Sequence, residues 1–209
     1  MPRTEKSVPL GIRDMSAAVG DHIAYFWETP EEFDEAVGFL AAGIIQDEHS
    51  VIFGHDDANQ SVCKALEAKG FSCDVLEAAG RLSILGPEST GELMLAQIES
   101  TFQRAVDAGA GMIRLLGNIG WGRPEWPDEH DILRFEAKVT GAAAMFPCIV
   151  ICLYDIKLLS GSVLLHGAFG THPLTIHQNL VRENPMCVGV EEYLEALEAR
   201  RTGHATADR

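Results

Sequence analysis

The residues best suited to chemistry in this chain stand where hydrophobic runs end. His22-Ile23-Ala24-Tyr25-Phe26-Trp27 stops at Glu28, and Ser50-Val51-Ile52-Phe53-Gly54 stops at His55-Asp56-Asp57. Met112 to Leu116 leads to Asn118 and Trp121, and Cys148 to Tyr154 leads to Asp155. If these runs are parallel strands joined by helices, their ends meet at one rim, where open α/β sheets take their ligands. Trp and Tyr there supply apolar surface, while Asn and Asp supply orientation, as in a small-molecule site. Any α/β protein places polar residues where strands meet loops, so none of these residues is a site by itself.

A second set lies within apolar stretches. Arg114 sits between Ile113 and Leu115, where a charge is costly unless paired. Glu136 is the natural partner, because it shares a helical face with Ile132 and Val139; Asp155 is the other. The alternative is an edge strand with Arg114 facing water. Buried and paired, Arg114 would be a structural tie or a ligand anchor. His172 precedes Pro173 at the opening of a strand. His22, His55 and His172 are each read most simply as hydrogen-bonded structural residues. A Cys152/His172/Asp155 nucleophile set can be drawn, but Cys152 lies inside an apolar run and buried thiols are inert.

Several chemistries lack their motifs. There is no G-x-x-x-x-G-K-[ST], no G-x-G-x-x-G after the first strand and no G-x-S-x-G, so a phosphate cradle, a nicotinamide site and a serine elbow are unsupported. No C-x-x-C occurs, which leaves no zinc clip or thioredoxin-like motif. The residue pattern therefore names no catalytic residue, no metal ligand and no cofactor.

The elements that would position these residues follow from periodicity. Thr29-Pro30-Glu31-Glu32 is a helix start, and Phe33, Val37, Leu40 and Ile44 continue at helical spacing. Gly43 is too early for a clean stop. Helices are expected over 58–69, 74–79, 91–108, 128–145 and 160–169, and strands over 22–27, 50–54, 81–85, 112–116, 148–154 and 173–177. The continuous apolar run Cys148 to Tyr154 predicts a central strand covered on both faces. Residues 117–124 are a Gly-rich loop, and the acidic segment 190–201 is an appended surface helix. The alternation predicts an α/β fold: a mostly parallel sheet with helices on both faces.

Composition sets outer bounds. The 209 residues carry 16 Lys plus Arg against 31 Asp plus Glu, a formal charge of −15. That balance argues against direct nucleic-acid binding and against an anionic membrane surface. With 46% hydrophobic residues, the chain is expected to form one globular domain rather than a disordered segment. Residues 1–16 lack an apolar core run, so no signal peptide is expected. The five cysteines are scattered, and Cys148 and Cys152 would lie about 13 Å apart along a strand, too far for a disulfide. Five free thiols would fit a reducing compartment, with the cytoplasm the default address.

Taken in order, several segments resemble the MEDS family, the methanogen/methylotroph DcmR sensory domain. These are His22 to Glu28, Phe39 to Gly43, Gly80-Arg81-Leu82, and Arg114 to Trp121, which resembles an R-x-x-G-x-x-x-W stretch. Phe135-Glu136, Cys152-Leu153-Tyr154-Asp155, Thr171-His172-Pro173 and Asn184-Pro185 follow. The resemblance covers about residues 20–186. It implies a cytoplasmic sensory domain with a RecA/KaiC-like core lacking a phosphate loop, and a small organic ligand. The motif positions it carries are Arg114, Trp121, Glu136, Cys152, Tyr154, Asp155 and His172. Phe135 and Leu153 replace the family's Tyr and Gln, which would make the site less polar.

The expectation is then a flexible segment 1–19, a sensory domain 20–186, and a C-terminal helix and tail 187–209. Arg114, Asn118, Trp121, Glu136, Cys152, Tyr154, Asp155 and His172 would bind the ligand, and the 117–124 loop would move. The signal would pass to a separate kinase, anti-sigma factor or transcription regulator; a homo-oligomer is left open. Two alternatives stand beside this: a ligand-independent interaction module in a partner-switching pathway, and a degenerate nucleotide-binding or Cys/His hydrolase enzyme.

Overall fold

The computed structural model describes residues 7–178 and 180–207. Two short strands, β1 (Ser7–Pro9) and β2 (Ser16–Ala18), pair antiparallel ahead of the sheet. The chain continues through β3 (His22–Trp27), α1 (Pro30–Ile45), β4 (His49–Gly54), α2 (Asp56–Ala68), α3 (Cys73–Ala78) and β5 (Leu82–Leu85). Then come α4 (Gly91–Asp107), β6 (Ile113–Asn118), α5 (Glu129–Ala143) and β7 (Cys148–Asp155). A π-helical segment (Val163–Ala168), a single turn α6 (Phe169–Thr171), β8 (Leu174–His177), β9 (Leu180–Glu183) and α7 (Val190–Ala207) complete it.

The sheet runs β5-β4-β6-β7-β3-β8-β9. All neighbours are parallel except β8 and β9. The fold is thus α/β with a mostly parallel sheet, as expected. β7 lies between β6 and β3, and residues 148–154 are all buried. Helices α1, α2 and α3 cover one face through Phe39, Leu40, Leu66 and Leu76. Helices α4 and α5, with the π-helical segment, cover the other through Ile98, Phe102, Ile132, Phe135 and Val163. Helix α7 packs on α5 through Tyr193 and Leu197 against Leu133 and Ala137.

The start of α1 follows its sequence signal. Thr29 accepts from the Glu32 amide, the Glu32 carboxylate accepts from the Glu28 and Thr29 amides, and Pro30 occupies the first turn.

Several expectations need correction. Within the segment 1–19, expected to be flexible, residues 7–18 form the β1–β2 pair and its connection. Leu10 and Ile12, in the connection between β1 and β2, are buried, and Arg13 pairs with Glu35 of α1 at 2.8 Å. Val8, Leu10 and Ile12 recur at every second position, but the intervening Pro9 and Gly11 read as a turn rather than a strand. Residues 1–6 and 208–209 of the expected end segments lie outside the described residues. The expected helix over 160–169 is π-helical before its last turn, and β9 is an additional antiparallel edge.

The cysteines also differ from expectation. Cys63 of α2 and Cys73 of α3 form a disulfide, with Cα atoms 5.8 Å apart. Cys148, Cys152 and Cys187 are free. The chain therefore does not carry the five free thiols that were expected to fit a reducing compartment. No helix among the described residues is long and apolar enough to cross a membrane.

Candidate functional site

The carboxyl ends of β3, β4, β6 and β7 open onto a cleft of about 500 Å³. Its walls are Trp27, Phe33, Ile119, Trp121, Leu158 and Leu159; its polar groups are His55, Asp57, Asn118, Arg123 and Asp155. A connection leaves β3 toward the α1 face, whereas β7 continues toward the π-helical segment on the opposite face. That divergence parts the layers and leaves the crevice at the rim. Arg123 closes one side by pairing with Asp57 at 3.2 Å. The side chain of Asp155 accepts from the Lys157 amide at 2.9 Å, which holds its carboxylate at the strand end. Of the expected site residues, Asn118, Trp121 and Asp155 are here.

Trp121 reaches further than the cleft. It packs against the cluster of Leu133, Ala137, Tyr193 and Leu197 that seats α7. Its ring also lies beside Gly167, where a Cβ would stand 3.1 Å from the indole and 3.5 Å from the Tyr154 hydroxyl. Gly167 is what lets the indole and the tyrosine approach the π-helical segment. Gly120 is similarly covered by the Trp126 ring, which is itself buried.

Behind the rim, a second set of expected residues converges inside the protein. Glu136, Cys152, Tyr154 and His172 are all buried, together with His22. His22 opens β3, Cys152 and Tyr154 share one face of β7, Glu136 projects from α5, and His172 stands at the end of α6. The Tyr154 hydroxyl donates to Glu136 Oε1 at 3.0 Å. Glu136 Oε2 lies 3.5 Å from His22 Nε2, 3.6 Å from His172 Nε2 and 3.8 Å from Cys152 Sγ. His22 Nε2 and Cys152 Sγ are 3.3 Å apart.

Hydrogen bonds to their other nitrogens fix both imidazoles. Thr140 Oγ1 donates to the Thr171 carbonyl at 2.6 Å, so it accepts from His22 Nδ1–H at 2.9 Å. Thr171 Oγ1 donates to the Gly167 carbonyl at 2.6 Å. His172 Nδ1–H points at the Ala168 carbonyl, 3.0 Å away, and at Thr171 Oγ1, 2.9 Å away. Both Nε2 atoms therefore present lone pairs to the space beside Glu136, and His172 Nε2 has no hydrogen-bond partner.

Electrostatics follow from burial. Desolvation raises Glu136 to about 8, against the lowering pull of the Tyr154 and Cys152 hydrogen bonds. It pushes His22 well below its ordinary value, with His172 adding to the shift. Burial lowers His172 to about 3, opposed by its backbone hydrogen bonds. Cys152 and Tyr154 are raised well above their usual values, first by burial and then by Glu136. No nucleophile set of Cys152, His172 and Asp155 forms, because Asp155 lies at the rim cleft and the thiol is held protonated.

Arg114 does not join either group. It is buried on the opposite face of the sheet, under α1. Its Nε donates to Glu48 at 2.5 Å, and its terminal nitrogens donate to the carbonyls of Pro9, Leu10 and Phe39 at 3.0, 3.0 and 3.2 Å. Both expected partners, Glu136 and Asp155, are corrected to Glu48. Strand alternation is the reason: Arg114 and Cys152 project to opposite sides of adjacent strands. Gly43, puzzling as a helix stop, makes room for this tie; a Cβ there would stand 2.7 Å from Arg114 Cδ. Leu153 faces the α1 side, and Phe135 packs on Phe53, with ring centroids 5.6 Å apart. Neither substitution removes a polar group from the buried cluster.

Sequence reasoning passed over His22 as structural and did not consider Thr140 or Thr171. A histidine opening an otherwise apolar strand was the available signal for His22; the two threonines had none.

Two comparisons with known proteins found similarity to this chain. A stretch of 73 residues is 29% identical to the transcriptional repressor DcmR of Methylorubrum extorquens (strain DSM 6343 / CIP 106787 / DM4). That stretch covers 34% of this chain and 28% of the repressor. The family profile described as MEDS, the MEthanogen/methylotroph, DcmR Sensory domain, matches residues 21–173. This span includes the rim strands β3 to β7 and all four side chains around the unpartnered His172 nitrogen, and the chain belongs to the MEDS family.

Proposed function

We propose that this chain is a non-catalytic sensory module that binds a small organic molecule in the rim cleft and relays its presence to a separate regulatory protein. The observation that carries the reading is the cleft itself: about 500 Å³, walled by aromatic and aliphatic side chains with a few polar groups. That size and lining suit a small, largely apolar ligand. Family membership and the repressor relative support a sensory and regulatory role. The strand order, with β6 and β7 inserted between β4 and β3, supports a RecA-like wiring in which the rim cleft occupies the ligand position.

Trp121 is the relay in this reading. It lines the cleft and packs against the residues that seat α7. A ligand that repositions the indole would favour one placement of α7 over another, and only such differential binding shifts an equilibrium. The acidic outer face of α7, with Glu191, Glu192 and Glu195 exposed, is then the surface a partner reads. The test is a thermal-shift screen of short-chain alcohols, amines, carboxylates and halocarbons. One class is expected to raise the midpoint of the native chain but not of Trp121→Ala, and to slow hydrogen exchange over residues 117–124. A screen in which no class does so, or in which Trp121→Ala responds equally, rejects the reading.

A further inference from the structure

We propose that His22, Glu136, Cys152 and His172 are the four ligands of a buried tetrahedral metal site for a zinc-class divalent ion. The four donor atoms lie within 4.8 Å of one another, and all four residues are buried. Bonds of about 2.0–2.3 Å to a tetrahedral ion set ligand atoms roughly 3.3–3.8 Å apart. The distances of 3.3, 3.5, 3.6 and 3.8 Å among these atoms match that spacing. The gap between His172 Nε2 and Glu136 Oε2 is too long for a hydrogen bond and suited to two ligands of one ion.

The surrounding hydrogen bonds agree. A ligating histidine donates its remote N–H to an oxygen, which fixes the tautomer and turns the other nitrogen to the metal. His172 does this to the Ala168 carbonyl and His22 to Thr140. Tyr154 occupies the second oxygen of Glu136, leaving Oε2 for the ion. Charge closes as well: a dication with one thiolate and one carboxylate sums to zero, as an interior with no solvent requires. Two nitrogens, a sulfur and an oxygen suit zinc rather than magnesium or calcium. With four protein ligands and no exposure, the site is closed, and the ion would staple β3, β7, α5 and the α6–β8 corner together. The inference is independent of any ligand in the rim cleft.

The experiment is metal analysis of the chain purified without chelator or metal-binding tag. Refolding in Co²⁺ after removal of native metal under denaturing conditions then follows. The expected result is about one zinc per chain, and cobalt spectra of a tetrahedral ion with thiolate charge transfer, saturating at about one equivalent. Cys152→Ser should lose the charge-transfer band. His172→Ala should weaken Co²⁺ binding by about tenfold or more. Cys148→Ser, a buried cysteine of the same strand outside the cluster, should change neither. A natively folded chain that carries under about 0.1 equivalent of zinc and develops no cobalt bands overturns the proposal. A charge-transfer band that survives Cys152→Ser overturns it equally.

Discussion

Arg114 and the His22–Glu136–Cys152–His172 cluster occupy opposite faces of adjacent strands, and both are fully buried. Their bonding differs. Arg114 makes four hydrogen bonds, to Glu48 and to three backbone carbonyls. Those bonds join β6 to α1 and to the N-terminal hairpin, and Gly43 is shaped around them. A buried charge with all its partners is a tie. The cluster holds two histidines fixed from behind by threonines and a carbonyl; of their forward nitrogens His22 Nε2 meets the Cys152 thiol at 3.3 Å, whereas His172 Nε2 has no hydrogen-bond partner. Buried polar groups are normally satisfied, so an imidazole held from behind with its forward nitrogen unpartnered among three other donor groups points to a bound ion.

That contrast sets the order of expected effects. Arg114→Ala strands Glu48 and three carbonyls, and breaking a buried pair costs about 3–5 kcal/mol; urea unfolding should show this loss while zinc content per folded chain stays unchanged. The cluster should behave in the opposite way. His172→Ala should separate from the native chain in urea midpoint far more with zinc bound than after zinc removal, because its forward nitrogen has work only when an ion is present. Equal differences in both conditions would make the cluster a tie like Arg114. Gly43→Ala places a methyl against Arg114 and should cost about 1–3 kcal/mol by overpacking, again without metal loss.

The smallest effect is chemical rather than energetic. Burial raises Cys148 to about 12, so it stays protonated and unreactive at pH 8. Cys187 is only partly buried and less strongly placed. Peptide mapping after iodoacetamide should find Cys187 modified and Cys148 protected until the chain unfolds. Since a raised thiol pKa suppresses the thiolate below it, labelling of Cys148 at pH 8 would mean that the β7 core opens.

The parallel core was legible because each strand carried its own apolar run and each long helix its own period; β3, β7 and α4 show this most plainly. The β1–β2 hairpin and β9 were not, because strands of three or four residues carry too few positions to establish alternation. The rim cleft was legible through strand ends, which is how Asn118, Trp121 and Asp155 were found. The Arg114 partner was not, because Glu48 comes from the short turn after α1 and nothing local marks it. The cluster was legible in part. Glu136, Cys152 and His172 stood out as residues, but nothing local shows that they meet. Only the placement of β3 beside β7, with α5 across them, brings His22 in as the fourth.

The most direct measurement is native mass spectrometry of freshly purified chain, compared with the same sample under denaturing conditions. The native mass is expected to exceed the denatured mass by one zinc, an excess kept in Arg114→Ala and Trp121→Ala and lost in His172→Ala. A native mass equal to the denatured mass, or an excess that His172→Ala retains, would contradict it.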